Sequence, residues 1–299
     1  MTPLLFELSS APGLCDQLAA GLAAEQGQLS RRQFPDGESY VRFVTPVEGR
    51  AVILVCTLDR PDAKLAPLLF AAEAAREQGA RSVGLVAPYL AYMRQDRQFH
   101  AGEAVTSRTF AATLSKHFNW LVTVDPHLHR YHDLAAIYSI PATAVAASAP
   151  IAEWVRANVD RPVIIGPDEE SGQWVERIAS LAGARWTVLR KVRIGDYSVD
   201  IDGQGLEHLA SGTPVLVDDI ASSARTLIDA AELLRQHVRQ SPVCVVVHPI
   251  FAGDSYLRLR DAGVSQVVST NTIAHETTRI DIAWPRAKAV RRSIGESAA

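Results

Sequence analysis

The stretch Thr213–Thr226, with the sequence TPVLVDDIASSART, is the most informative segment of the chain. An apolar run leads to two carboxylates, Asp218 and Asp219, and a turn of small and hydroxyl residues then opens a helical pattern. Continuous apolar runs are typical of strands covered on both faces of a parallel sheet. Unpaired amides at a helix start favour an anion, and adjacent carboxylates accept hydrogen bonds from sugar hydroxyls or hold a cation. The stretch predicts a sugar-phosphate site; the alternative is a strand end followed by a serine N-cap.

Strand and helix patterns alternate over most of the chain. Further apolar runs of strand type are found at 51–56, 82–88, 120–125, 162–168, 242–248 and 265–270. Helical spacing of Ala, Leu, Val and Ile is found at 63–79, 106–118, 171–182 and 224–239. This alternation predicts α/β architecture with mainly parallel sheets, in which ligands bind beyond the carboxyl ends of the strands.

Two segments interrupt this pattern. Residues Ser39–Val44 alternate polar and apolar side chains after a Pro35-Asp36-Gly37 turn, which predicts one arm of a β-hairpin. The segment 140–150, IPATAVAASAP, is uncharged, small and contains proline, so we place a domain boundary there. We expect two α/β domains of similar size, residues 1–145 and 146–299.

Composition excludes several classes of protein. Of the 299 residues, 47% are hydrophobic and 21% charged, which is typical of a globular protein. Thirty basic and 33 acidic residues give a net charge of −3, so no global positive field favours nucleic acid. The three cysteines are few and far apart in the sequence, which suits a reducing compartment where disulfides do not form. No apolar run reaches the ~18 residues of a membrane span. We expect a cytoplasmic protein with neither a nucleic acid nor a membrane as its partner.

Several polar residues follow the predicted strands. Arg94, Gln95 and Arg97 follow the strand at 82–88 and offer donors for phosphates or a purine edge, although a solvated turn would have the same composition. His127 and Asp168 each follow a strand as well. Together this imidazole and this carboxylate predict a shared Mg²⁺ ion bound to phosphates.

Two further segments allow two interpretations each. Lys191 and Arg193 lie on one face of an extended segment, where two cations neutralise the charge that develops in phosphoryl transfer. They would equally suit a basic edge that prevents aggregation. The turn Phe34-Pro35-Asp36-Gly37-Glu38 carries an aromatic ring and two acids, and taken alone it is a plain hairpin turn.

Taken together, these segments resemble the ribose-phosphate pyrophosphokinases (PRPP synthetases), and the archaeal members more than the common bacterial ones. The matching segments are FPDGE at 34–38, PYLAYMRQDR at 88–97, VDPH at 124–127, PD at 167–168, KVR at 191–193, VDDI at 217–220 and HPIFAG at 248–253. The resemblance implies two phosphoribosyltransferase-like domains, each a mainly parallel sheet flanked by helices, related by pseudo-two-fold symmetry. It also implies the Mg²⁺-dependent reaction of ATP with ribose 5-phosphate to give PRPP and AMP, in a homodimer or larger homo-oligomer with a shared active site.

The resemblance implies roles for residues at matched positions. Phe34, Asp36 and Glu38 would contact adenine from a neighbouring subunit. The other implied ATP ligands are Arg94, Gln95, Arg97 and His127, and His127 and Asp168 would bind the metal. Lys191 and Arg193 would stabilise the transition state.

The implied ribose 5-phosphate site contains two departures from the family pattern. Its residues would be Asp218, Asp219, Ser222, Ser223, Ala224, Arg225 and Thr226. Ala224 stands where the family usually has glycine, and Arg225 adds a cation beside the phosphate. Glu169 and Glu170 add negative charge after Asp168. These changes bear on affinity and substrate choice and not on the fold.

Two other functions are compatible with parts of the sequence. A catalytically silent relative would bind nucleotides and regulate an active partner, but it would be expected to lose Lys191, Arg193, His127 or Asp168. A metal hydrolase built on His127-Leu128-His129 would need further zinc ligands at a suitable spacing, and the sequence offers no convincing set.

Overall fold

The chain consists of two compact units. The computed structural model describes residues 2–128, 130–192, 198–200 and 212–296. The first unit comprises the residues up to Ala146 together with those from Ala283 onward, and the second comprises Ala147–Ile282.

The first unit is built on a six-stranded parallel sheet. Its strands are β1 (Leu4–Ser9), β2 (Glu25–Gln26), β5 (Ala51–Cys56), β6 (Ser82–Ala87), β7 (Trp120–Val124) and β8 (Ala142–Val145). They are ordered β2-β1-β5-β6-β7-β8, and every neighbouring pair is parallel. All residues of β5 and β6 are buried, as expected for strands covered on both faces.

Helices and a hairpin complete the first unit. The helices are α1 (Leu14–Leu22), α2 (Asp62–Glu77), α3 (Thr106–His117) and the C-terminal α8 (Ala283–Glu296). The strands β3 (Leu29–Gln33) and β4 (Ser39–Phe43) pair antiparallel. The hairpin predicted around Ser39–Val44 is therefore confirmed, and its inner residue Phe43 packs edge-on against Phe6 of β1.

The second unit repeats this arrangement. Its main strands are β9 (Pro162–Gly166), β10 (Arg185–Val188), β13 (Thr213–Ala221), β14 (Val243–Pro249), β15 (Gln266–Thr270) and β16 (Thr278–Ile280). They form a parallel sheet in the order β10-β9-β13-β14-β15-β16, which matches the first sheet strand for strand. A second antiparallel hairpin, β11 (Arg190–Val192) with β12 (Ser198–Asp200), corresponds to β3–β4. The helices are α4 (Ser148–Asn158), α5 (Gly172–Ala182), α6 (Arg225–His237) and α7 (Ser255–Asp261).

The predicted elements agree with the structure to within a few residues at most ends. The division between the two units falls at Ala146/Ala147, one residue from the boundary placed at 145/146, in a segment that contains the edge strand β8 and the start of α4. Two expectations need correction. Each main sheet has six strands, more than the three or four apolar runs found in each half, because β1 and the short edge strands were not recognised. The apolar strand does not end at the paired carboxylates, because β13 continues through them to Ala221.

The last helix departs from the sequence-based division at 145/146. Helix α8 packs against α1 of the first unit, and an Arg291 side-chain nitrogen donates a hydrogen bond to the carbonyl oxygen of Gly21. A Cβ atom on Gly21 would lie 2.9 Å from the Cβ of Ala287, so the two helices approach closely at that point. The residues after Ile282 therefore complete the first unit, not the second.

The cysteines behave as small hydrophobic residues. Cys15, Cys56 and Cys244 are buried free thiols. Burial raises the pKa of Cys15 and of Cys56 to about 12 and raises the pKa of Cys244 as well. In the described part of the chain, no helix is both long and apolar enough to cross a bilayer.

Replacing Gly21 with valine tests the placement of α8. The added side chain meets Ala287 and forces α1 and α8 apart, so the Gly21→Val protein should lose about 1–3 kcal/mol of stability, as overpacked sites do. Gly295→Ala is the control, because a Cβ there meets nothing within 4 Å and alanine favours a helix. Thermal unfolding measures both; equal melting temperatures for the two variants would contradict the packing described.

Candidate active site

Paired carboxylates lie near the carboxyl end of β13. Asp218 and Asp219 are half-buried, and the backbone amide of Asp219 donates a 3.0 Å hydrogen bond to Asp218 Oδ1. Strand β9 runs parallel beside β13, with Ile165 opposite Leu216, so Asp168 follows at the same edge of the sheet. Three carboxylates therefore meet where the two strands end.

This crowding changes the acidity of one carboxyl group. Burial is the largest influence on Asp218, and the negative charges of Asp219 and Asp168 add to it. All three raise the pKa of Asp218 well above its ordinary value. A ligand that donates hydrogen bonds or carries positive charge into this edge would relieve the repulsion, which suits sugar hydroxyls or a cation.

A tight turn after β9 holds Asp168. Asp168 Oδ1 accepts a hydrogen bond from the amide of Ser171 at 3.1 Å, and Ser171 Oγ donates to the carbonyl oxygen of Asp168. A Cβ atom on Gly166 would lie 2.2 Å from Ser171 Oγ, so only glycine permits this approach. Glu169 and Glu170, whose negative charge was expected to affect affinity and substrate choice, are exposed in the turn Glu169–Ser171.

The loop from Ser222 to Ala224 joins β13 to α6. The Ser222 carbonyl oxygen accepts hydrogen bonds from the amide of Ala252 at 2.9 Å and from Ser255 Oγ at 2.9 Å. Ala224 has a φ of 54°, a left-handed conformation that costs a non-glycine residue about 1–2 kcal/mol. Alanine carries no side-chain oxygen to cap α6, so the first-turn amides of the helix can bind an anion.

The remaining loop residues leave this position accessible. Ser223 is exposed, Thr226 is half-buried, and both carry hydroxyl groups next to the helix start. Arg225 is exposed and lies 3.9 Å from Asp229 one turn further along α6. The cation of Arg225 therefore interacts along the outer face of the helix.

The second hairpin carries one predicted cation. The amide of Leu189 donates a 2.9 Å hydrogen bond to the carbonyl oxygen of Gly166, so β11 begins beside the Asp168 turn. Lys191 lies in β11 opposite Val199 of β12. The other predicted cation, Arg193, and the hydrolase candidate His129 lie outside the described residues.

A second group of predicted residues lies at the carboxyl edge of the first sheet. Arg94 and Arg97 are exposed and Gln95 is half-buried in the loop after β6, and half-buried His127 follows the neighbouring strand β7. The guanidinium carbon of Arg97 lies 4.8 Å from the centre of the Phe99 ring. This edge therefore presents cations and an imidazole together.

Asp96 connects the two loops of this edge, a role that the sequence did not reveal. Its buried carboxylate lies 3.5 Å from Arg130 Nε, and its carbonyl oxygen accepts a hydrogen bond from Tyr131 at 3.3 Å. The signal was present as an aspartate between two arginines, but its partner was not identifiable from spacing. The structure also places Glu103 against Gln95, at 3.2 Å from Glu103 Oε2 to Gln95 Nε2.

Phe34, Asp36 and Glu38 lie at the exposed tip of the β3–β4 hairpin. The turn is closed by hydrogen bonds between Phe34 and Glu38 backbone groups at 2.8 Å and from the Glu38 amide to Asp36 Oδ1 at 3.2 Å. Arg32 stacks 4.4 Å from the Phe34 ring and 4.6 Å from the Tyr40 ring. An exposed stacked aromatic surface of this kind suits contact with a flat ligand or another chain.

The predicted metal ligands divide between the units. His127 belongs to the first unit and Asp168 to the second. Among the described residues, no group of three or more His, Cys, Asp or Glu side chains is arranged to hold a metal ion. Mg²⁺ ordinarily binds one or two carboxylates together with substrate phosphates and water, and the crowded carboxylates at Asp168 fit that requirement.

Comparisons with known proteins agree with the fold and identify the family. A sequence model for the N-terminal domain of ribose phosphate pyrophosphokinase matches residues 3–117, and one for the phosphoribosyl transferase domain matches residues 133–282. The ribose-phosphate pyrophosphokinase of Methanopyrus kandleri is 31% identical over 281 residues, covering 93% of this chain and 95% of the relative. That of Methanothermobacter thermautotrophicus is 33% identical, covering 85% of this chain and 88% of its own length.

A solved structure shows the same architecture. The crystal structure of phosphoribosylpyrophosphate synthetase from Mycobacterium smegmatis superimposes with a TM-score of 0.84 at 24% identity, covering 99% of each chain. The fold and the carboxyl-edge site thus define an α/β protein with two phosphoribosyltransferase-like domains. The chain belongs to the ribose-phosphate pyrophosphokinase family, and it is an enzyme of that class, as the sequence predicted.

Replacing Asp218 with asparagine should raise the melting temperature of the ligand-free protein at neutral pH. Because the folded-state pKa of Asp218 is raised, ionisation of this group opposes folding as the pH rises from about 4, the unfolded value, towards the folded value. Asparagine carries no charge, so the advantage of the variant should grow as the pH rises from about 4 towards neutrality.

Thermal unfolding across this pH range measures the effect. Asp229→Asn, at an exposed position of α6, is the control and should change stability little at any pH. A melting temperature of Asp218→Asn lower than that of the wild type at every pH would contradict the proposed crowding of negative charge.

Proposed function

We propose that this protein transfers the β,γ-diphosphoryl group of ATP to the anomeric hydroxyl of ribose 5-phosphate. The products are PRPP and AMP. The hydroxyl oxygen attacks the β-phosphorus, the bond from that phosphorus to the bridging oxygen of AMP breaks, and the hydroxyl proton is released. The single observation that carries this proposal is a carboxylate-lined strand end followed by an uncapped helix start, in a chain whose relatives are named ribose-phosphate pyrophosphokinases.

The second unit binds ribose 5-phosphate in this proposal. The phosphate lies against the first-turn amides of α6 and the hydroxyls of Ser222, Ser223 and Thr226, because the helix start is electropositive. Asp218 and Asp219 accept hydrogen bonds from the ribose hydroxyls. These contacts hold the anomeric hydroxyl in place, which removes the entropic cost of bringing two substrates together.

The first unit supplies the groups that bind ATP. Arg94, Gln95 and Arg97 offer donors to the triphosphate, and His127 lies at the neighbouring strand end.

Lys191 and Arg193 stabilise the charge that shifts to the bridging oxygen as the bond breaks. Asp168 and His127 would be ligands of a Mg²⁺ ion that accompanies the substrate phosphates, and the ion would neutralise part of that charge.

Product analysis tests the reaction. Purified protein incubated with ATP, ribose 5-phosphate and Mg²⁺ should yield AMP and PRPP in equal amounts, and chelation of the metal should stop the reaction. Lys191→Ala should lower kcat by at least ~10²-fold with a much smaller change in KM, because the lysine acts on transition-state charge. The formation of ADP and a phosphate ester would show γ-transfer and refute the proposal; an inactive wild type would support a silent regulatory relative.

The hairpin tip completes the site of a neighbouring subunit in this proposal. Phe34 stacks on adenine, and Asp36 and Glu38 accept hydrogen bonds from its exocyclic amino group. The exposure of the whole turn from Phe34 to Glu38 supports such a contact, since these groups face outward from their own unit. We therefore propose a homo-oligomer of at least two chains.

Mixing two inactive variants tests the shared site. A Phe34→Ala/Glu38→Ala protein and a Lys191→Ala protein, exchanged into hybrid oligomers, should recover part of the wild-type activity, because some hybrid interfaces contain one intact site. Self-mixed samples of each variant are the controls. Full activity in a sedimenting monomer, or no recovery after proven subunit exchange, would contradict a shared site.

A further inference from the structure

The carboxylate of Glu103 gathers four donors at the end of the loop that carries Arg94, Gln95 and Arg97. Glu103 Oε2 accepts hydrogen bonds from the backbone amides of Phe99 at 2.7 Å and His100 at 3.0 Å. The same oxygen accepts from Gln95 Nε2 at 3.2 Å, and Oε1 lies 2.8 Å from His100 Nδ1. The side chain at one end of the segment 95–103 therefore contacts both the other end and the tip of that segment.

Backbone groups complete this closed segment. Gln98 Nε2 donates a 2.8 Å hydrogen bond to the carbonyl oxygen of Glu103. The amide of Ser107, in the first turn of α3, donates a 3.3 Å hydrogen bond to the carbonyl oxygen of Gln95. The segment is thus attached to a helix at one point and gathered around a single carboxylate at another.

A surface glutamate without a specific role would have a different environment. Such a side chain is ordinarily solvated and contributes little. The bonds to Glu103 are charge-assisted, and they depend on its remaining ionised. The hydrogen bonds from the His100 side chain and from the backbone amides of His100 and Phe99 lower the pKa of Glu103, so the carboxylate remains charged at neutral pH.

Glu103 also fixes the orientation of the Gln95 side-chain amide. Gln95 Nε2 is directed at Glu103 and, at 3.3 Å, at the carbonyl oxygen of Arg97. Because Nε2 makes these contacts, the oxygen of the amide is the atom that could accept a hydrogen bond from a ligand. Arg94 and Arg97 remain exposed on either side of it.

We propose that Glu103 is a positioning residue for the nucleotide, which it serves by holding the Arg94–Arg97 segment in a binding-competent conformation. This inference rests on the proposed function, in that it takes ATP as the ligand of this segment. Glu103 touches neither substrate; it acts through Gln95 and through the backbone of residues 99–100. Removal of the Glu103 carboxylate should therefore weaken ATP binding and leave ribose 5-phosphate binding unchanged.

The experiment compares Glu103→Ala, Glu103→Gln and the control Glu77→Ala, an exposed carboxylate at the end of α2. Glu103→Ala should raise the dissociation constant and the KM for ATP by ~10-fold or more, as loss of charge-assisted hydrogen bonds does. kcat and the KM for ribose 5-phosphate should stay within ~2-fold, which separates positioning from chemistry. Glu103→Gln should be intermediate, because an amide presents one acceptor oxygen to four donors.

Hydrogen exchange provides a readout that does not depend on activity. The amides of Phe99 and His100 should exchange faster in Glu103→Ala and not in Glu77→Ala, since Glu103 is their acceptor. Faster exchange with unchanged ATP affinity would overturn the positioning role while leaving the proposed function intact. Equal losses for both substrates together with a lower melting temperature would reduce Glu103 to a structural residue and also overturn it. A wild type that binds no ATP would instead refute the proposed function.

Discussion

Parallel pairing of strands brings the candidate site residues of this protein together. In a parallel sheet all carboxyl ends lie at one edge, so residues far apart in sequence meet there without any direct contact encoded between them. The pairing of β9 with β13 brings Asp168 beside Asp218 and Asp219, and the pairing of β6 with β7 brings the loop of Arg94 beside His127. The price is electrostatic, because like charges meet at the first of these edges and raise the pKa of Asp218.

The two units apply the same topology to different chemistry. Their sheets share one strand order and each inserts an antiparallel hairpin at the corresponding point. After β13 the loop leads to an uncapped helix start beside carboxylates. After the corresponding β5, Lys64 Nζ donates to the carbonyl oxygen of Thr57 at 2.9 Å and pairs with Asp59 at 2.5 Å. In the loop after β5, the Lys64 ammonium group thus provides a positive charge from the chain itself. The loop after β13 can instead accept a charged ligand.

Much of the fold could be predicted from the sequence because buried parallel strands are continuous apolar runs. The runs at 51–56 and 82–88 correspond to β5 and β6 within one residue. The strand β1, LLFELS, was missed because a single glutamate and its terminal position masked the pattern. The assignment of α8 to the first unit was not predictable, since helical spacing does not reveal which partner a helix packs against.

The candidate site was predictable where chemistry follows directly from residue type at a strand end. The meeting of Asp168 with Asp218 and Asp219 at one sheet edge was predictable because acids directly followed apolar runs. Asp96 and Glu103 were not found, because their roles depend on partners brought together by loop conformation. Ala224 shows the same limit. Alanine in place of the glycine usual in the family suggested a loss of the left-handed backbone conformation, but Ala224 adopts that conformation.

The most direct test of this account is calorimetric titration of ribose 5-phosphate into the ligand-free protein and into its Asp219→Asn variant, with Asp229→Asn as the control. One binding site per chain is expected in the wild type and the control. Affinity should be weaker by ~10-fold or more in Asp219→Asn, where a carboxylate acceptor for a sugar hydroxyl is lost. Equal affinity in all three proteins would show that the sugar phosphate does not bind at the carboxyl edge of β13, and it would contradict the account.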